Sequence, residues 1–158
     1  METTVSPTRI AMNTGAITAA LMLGASFVGW QRVGWVIFGV GIFYGMKLYR
    51  NEIGGAIGYG RALQAGVQTA FFMSLVLSFV VYMSAFFDPS VIGKTLEAME
   101  ERLIASEIPA AAMEQMKETM TPIMLAAFSI VAYCILGGFI SLVFAFFVKK
   151  QPIIEEQT

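Results

Sequence analysis

Lys47, Arg50, Gly54, Gly58 and Arg61 recur at intervals of three or four residues near the middle of this chain. On a continuous helix that spacing would put all five on one face, with cations at its ends and bare backbone between. Glycine leaves backbone N–H groups open to close approach. Exposed N–H groups beside a guanidinium are the chemistry that holds a phosphate. The stretch 50–63, RNEIGGAIGYGRAL, therefore reads as an interfacial site for an anionic lipid phosphate or for a protein partner. The competing reading is an ordinary basic loop on the cytoplasmic side of a membrane, where positive loops are the rule.

The usual parts of catalysis are missing from the sequence. The chain has no histidine, and its one cysteine, Cys134, lies in an apolar run, which suits a small packed side chain and rules out a disulfide within the chain. No nucleophile stands beside a base, and no acid–base pair lies within an apolar segment. No Asp, Glu, Lys or Arg falls mid-span, which argues against a proton- or sodium-coupled carrier. A phosphate-binding loop is also lacking. Met113, Met116 and Met120 form a stripe that would suit Cu(I). Without a histidine or cysteine nearby, their spacing is better explained as the buried face of a helix. The expectation is a protein that is not an enzyme and holds no cofactor or metal.

The elements that position the central stretch are long apolar helices. Of 158 residues, 57% are hydrophobic and 13% charged, with a mean hydropathy of +0.71. Soluble domains carry about 25% charged residues, so a single membrane domain is the first inference. Four spans are expected, at about 10–29, 33–49, 64–87 and 122–148. The first has the length of a bilayer-crossing helix and reads as a retained span rather than a cleaved leader. The second is short, with Arg32 and Lys47 reaching toward the two interfaces. Its Gly41-Ile-Phe-Tyr-Gly45 pattern suits close packing within the chain or, in a sharper reading, a homodimer. Polar side chains on the third span, Gln64, Gln68, Ser74, Ser78 and Tyr82, need partners in lipid, with Asn13, Thr14 and Thr18 as candidates.

Asp88-Pro89 ends the third span and has the form of a helix start, an N-cap followed by proline at the first helical position. Residues 88–121 then read as an amphipathic helical hairpin with Leu96, Met99, Met113 and Met116 facing one another or the membrane. Thr121-Pro122 opens the last span, and Lys149-Lys150 closes it. Both termini are assigned to the cytoplasm, which places six basic residues there (Arg9, Lys47, Arg50, Arg61, Lys149 and Lys150) against four outside. The hairpin is then extracytoplasmic.

Tyr49-Arg50-Asn51-Glu52 with Gly54-Gly55, Ile57-Gly58-Tyr59-Gly60-Arg61-Ala62-Leu63, Phe87-Asp88-Pro89-Ser90 and Val148-Lys149-Lys150-Gln151-Pro152 occur in an order that resembles the DUF4199 family of four-span bacterial membrane proteins. Asn51 stands where that resemblance leads one to expect an acid. The resemblance implies an inner-membrane location in Bacteroidota and transfers no catalytic residue. Its genomic context implies a polyprenyl-phosphate glycosyltransferase as a candidate partner. Two functions follow as expectations. One is a non-enzymatic accessory or assembly subunit that binds a membrane protein partner or forms a homo-oligomer. The other is a lipid-handling protein that holds an anionic lipid phosphate at the cytoplasmic interface. Membrane lipids are partners in either case, and nucleic acid in neither.

Overall fold

A computed structural model describes residues 6–27, 31–104, 114–115 and 118–149. Five helices occupy nearly all of them: α1 (Pro7–Phe27), α2 (Gln31–Glu52), α3 (Tyr59–Phe87), α4 (Ser90–Ile104) and α5 (Pro122–Val148). The protein is all-helical, and the described residues contain no strand.

Three of the five helices start by one device. Ser6-Pro7, Asp88-Pro89 and Thr121-Pro122 each set a small polar residue before a proline. Proline fits the first helical position because its missing N–H is not needed there. Asp88 Oδ1 accepts from the Ser90 N–H at 3.0 Å, and Thr121 Oγ1 accepts from the Met124 N–H at 3.3 Å. The predicted starts at Asp88 and Thr121 are both observed.

Helices α3 and α5 are long and apolar enough to cross a membrane. The described parts of α1 and α2 do not reach the same measure, so two helices and not four carry a clear spanning signal. Glycines and a charged last turn dilute α2, and the expected first span, 10–29, runs beyond the described part of α1. Helix α2 also runs longer than the expected 33–49, and α3 begins before the expected 64, at Tyr59.

The chain divides into two units. The larger holds α1, α2, the first part of α3 (to Val76) and the last part of α5 (from Val131). Its interior is built from small residues at helical spacing: Ala11, Thr14, Thr18 and Ala19; Ala62, Ala65, Thr69 and Ala70; Gly137, Ser141 and Ala145. Phe38, Ile42 and Met46, four residues apart along α2, are among the large side chains of this core, together with Ile57, Met73 and Val148. Small interior residues let helix backbones approach. Gly41 lies against the Thr18 side chain of α1, and Gly45 against that of Thr69 in α3. The glycine pattern of α2 is thus occupied by packing within the chain. Large apolar side chains, among them Ile17, Val40, Phe71 and Phe139, point outward.

The smaller unit, Leu77–Ile130, centres on Ala85, Met120 and Leu125, with Val81, Val91, Ile92 and Leu96 packed against them. Leu96 of the expected hairpin therefore faces inward. Met99 and the second hairpin helix, with Met113 and Met116, lie outside the described side chains, apart from short helical pieces at 114–115 and 118–119.

Candidate functional site

The predicted central site is not one helix face. Helix α2 ends at Glu52, and Gly54 and Gly55 follow with φ of 88° and 84°. The Gly55 N–H bonds back to the Arg50 carbonyl at 2.9 Å, and the Gly54 N–H to that of Asn51 at 3.3 Å. This pair of bonds, with a left-handed glycine just past the helix, is a Schellman ending. A residue with a Cβ is strained at that φ, so Gly54 is explained by the turn itself. Gly58 acts at the next helix instead, where its carbonyl accepts the Ala62 N–H at 3.1 Å and opens α3.

Arg50 is committed within the protein as well. Its Nη1 donates to the Val148 carbonyl at 3.3 Å, across 98 residues of sequence. Val148 is the last residue of α5. A guanidinium there satisfies an orphan carbonyl and meets the negative end of the helix dipole. Lys47 and Arg61 are exposed and make no hydrogen bond or ion pair with a described residue. No interaction joins any two of Lys47, Arg50, Gly54, Gly58 and Arg61. The helical premise that would align them fails because the chain must turn between α2 and α3.

Around Arg50 the larger unit gathers its charged end. The last turns of α2 and α5 meet there, and the Tyr59 hydroxyl at the start of α3 donates to the Leu142 carbonyl at 3.3 Å. Lys149 Nζ sits 3.9 Å from the centre of the Phe146 ring. The first turn of α1 completes this end, because Arg9, Ile10 and Asn13 line a recess together with Glu52.

From Asn13 a second and more apolar cleft of about 290 Å³ runs along the seam of α1 and α2. Asn13, Ile17 and Leu21 form one wall, and Val40, Tyr44 and Leu48 form the other. The residues on each side recur at four-residue steps, so the walls are helical ridges that leave a groove between them. Ile17 is 63% and Val40 59% exposed, so the groove opens sideways to the surroundings of the protein. The stretch of α1 from Asn13 to Leu21 gives it a length of about 12 Å at roughly 1.5 Å per residue.

Several interior hydroxyls bond to carbonyls of their own helix. Thr18 Oγ1 donates to the Thr14 carbonyl, Thr69 Oγ1 to that of Ala65, and Ser74 Oγ to that of Phe71. Ser74 also meets Cys134 Sγ of α5 at 3.3 Å. In the smaller unit Ser78 Oγ donates to the Ala126 carbonyl of α5 at 2.7 Å. Within the larger unit the Gln68 Oε1 and Ser141 Oγ atoms are buried without a described partner. The expected bonds from the third span to Asn13, Thr14 and Thr18 are not formed: Ser74 bonds to its own helix and Ser78 to α5. Among the described residues no three of His, Cys, Asp and Glu gather as a metal site.

A protein-family profile described as "Protein of unknown function (DUF4199)" matches residues 10–150. No curated protein and no solved structure matches the chain.

Proposed function

We propose, for a chain that belongs to the DUF4199 family, a membrane-embedded bundle that binds lipid along α1 and α2 and has no catalysis of its own. One observation carries this reading: the larger unit is packed inside out. Most of its buried positions hold Ala, Gly, Ser or Thr, with a smaller set of large side chains such as Phe38, Ile42, Met46 and Met73, while Ile17, Leu21, Val36, Val40, Phe71 and Phe139 face outward. In water such an apolar surface is a liability. In a bilayer it is the expected arrangement, since lipid gives large side chains no reason to hide and close packing falls to small residues.

On this reading α1 and α2 cross the membrane beside α3 and α5, which makes four spans. The charged end, with Arg9, Lys47, Arg50, Arg61 and Lys149, faces the bacterial cytoplasm, and α4 lies on the other side of the inner membrane. Lys47 and Arg61 then give a general attraction to anionic lipid, about 1 kcal/mol for each cation near the surface. Arg50 contributes to the fold through Val148.

The cleft favours lipid handling over a purely accessory role. It is apolar, open at the side and bounded by a charged end, whereas the glycine face that could have served a partner is filled by Thr18 and Thr69. Purification in mild detergent, with mass spectrometry of what accompanies the protein, tests the choice. Retained phospholipid that is lost in Val40→Trp, a change that fills the groove from an exposed position, supports lipid handling. A stoichiometric protein partner with no retained lipid would replace it with the accessory-subunit reading.

A further inference from the structure

We propose that the α1–α2 cleft selects a zwitterionic aminophospholipid, with its phosphate against Arg9, its ammonium against Glu52 and one acyl chain in the apolar groove. The proposal rests on the lipid-binding reading above and adds to it the chemistry of the head group. Arg9 and Glu52 line one recess, yet no ion pair joins them, and neither side chain bonds to a described residue. Two opposite charges that face a shared space without closing on each other complement a ligand that carries both signs a few bonds apart.

The positions of these charges strengthen the case. Arg9 stands in the first turn of α1, where the helix dipole disfavours a cation. Glu52 is the last residue of α2, where the dipole disfavours an anion. Both would favour their helices more if their signs were exchanged. Neither is therefore explained as a helix-stabilising charge, in contrast to Arg50 on the α5 carbonyl. A bound phosphate beside Arg9 would also meet the positive end of α1. An ammonium beside Glu52 would likewise meet the negative end of α2. The ligand thus reverses both unfavourable placements at once.

Recess and groove are continuous at Asn13, which lines both. Its amide can donate to a phosphate or glycerol ester oxygen where the head group gives way to the chain. Below it Ile17, Leu21, Val40 and Leu48 offer only apolar surface. A purely anionic lipid would leave Glu52 facing negative charge. A choline head group would bring its positive charge without an N–H for the carboxylate to accept.

Native mass spectrometry of the full chain tests this in detergent micelles that hold equal amounts of phosphatidylethanolamine, phosphatidylglycerol and phosphatidylcholine. Wild type is expected to retain phosphatidylethanolamine roughly tenfold over either competitor, the scale of one charge-assisted hydrogen bond. Glu52→Gln should bring phosphatidylethanolamine and phosphatidylglycerol to parity, while Arg9→Gln weakens retention of all three. Helical circular dichroism, unchanged in both variants, keeps the comparison on binding. Equal retention of the three lipids by wild type, or an intact preference in Glu52→Gln, overturns the head-group assignment and leaves the lipid-binding reading in place. No lipid retained by wild type, or retention undiminished in Val40→Trp, overturns both.

Discussion

Gly15 and Gly24 lie in the same helix and differ in what surrounds them, so alanine at each separates packing from helix propensity. A Cβ on Gly15 would lie 2.9 Å from Phe72 Cβ, 3.1 Å from the Met73 nitrogen and 3.2 Å from the Thr69 carbonyl oxygen. Two of these atoms are backbone and the third is a Cβ, so no flexible side-chain end can yield. Helices α1 and α3 would have to move apart by several tenths of an ångström. Overpacking of that kind costs about 1–3 kcal/mol. A Cβ on Gly24 meets nothing within 4 Å. Both substitutions gain the same intrinsic preference of alanine over glycine, up to about 1 kcal/mol. The difference between them isolates the packing cost. Gly15→Ala should therefore unfold more readily than Gly24→Ala by about 1–3 kcal/mol, read from denaturant titration of the purified protein followed by circular dichroism. If Gly15→Ala proves as stable as Gly24→Ala, the backbone approach of α1 and α3 is wrong, and with it the account of the small-residue core.

Arg50→Gln removes the donor at the end of α5 and should raise hydrogen exchange over Ala145–Val148, at a cost of roughly 1 kcal/mol. Unchanged protection there would mean that Arg50 does not cap α5. Hydrogen bonds from the Ser90 hydroxyl and N–H, aided by Lys94, hold the Asp88 carboxyl below its ordinary value. A lowered native pKa gives stability that is present above the unfolded value and lost as pH falls through the native one. Protection at the start of α4, taken relative to the intrinsic exchange rate at each pH, should accordingly fall on acidification and lose that dependence in Asp88→Ala; an acid response that survives in the variant assigns it elsewhere. For topology, with Cys134→Ser as background, an impermeant thiol reagent applied to intact cells should modify Gly93→Cys and spare Gly60→Cys. Equal labelling of the two contradicts the four-span arrangement.

The helix starts were legible because their signals are local. Asp88-Pro89 and Thr121-Pro122 need only the chemistry of an N-cap and a proline, and α5 spans the expected 122–148. The strong apolar content of α3 and α5 was equally plain. Less could be read where a residue's partner depends on tertiary geometry. Ser74 and Ser78 were visible as polar groups in need of partners, yet whether each bonds to its own helix or to α5 is decided by rotamer and helix rotation. Gly54 looked like one of five residues on a helical face. Its left-handed conformation depends on where α2 stops, and the expected end at 49 falls short of the observed Glu52.

The cleft escaped the sequence for a related reason. Arg9 and Glu52 are far apart in the chain, and only the packing of α1 on α2 brings them to one recess. One local signal was nevertheless present: a cation opening a helix and an anion closing the next, each opposed by its dipole. The predicted site took in Arg50 and passed over Arg9 and Glu52. Arg50 sits where its charge suits the helix end that it meets, and its role is structural. Arg9 and Glu52 sit where their charges do not suit their own helices, and no described partner accounts for them. A charge that works against its helix and lacks a partner among the described residues is better evidence of a ligand than a charge that merely belongs to a basic cluster. By that criterion the place to look for function moves from the turn after α2 to the seam between α1 and α2.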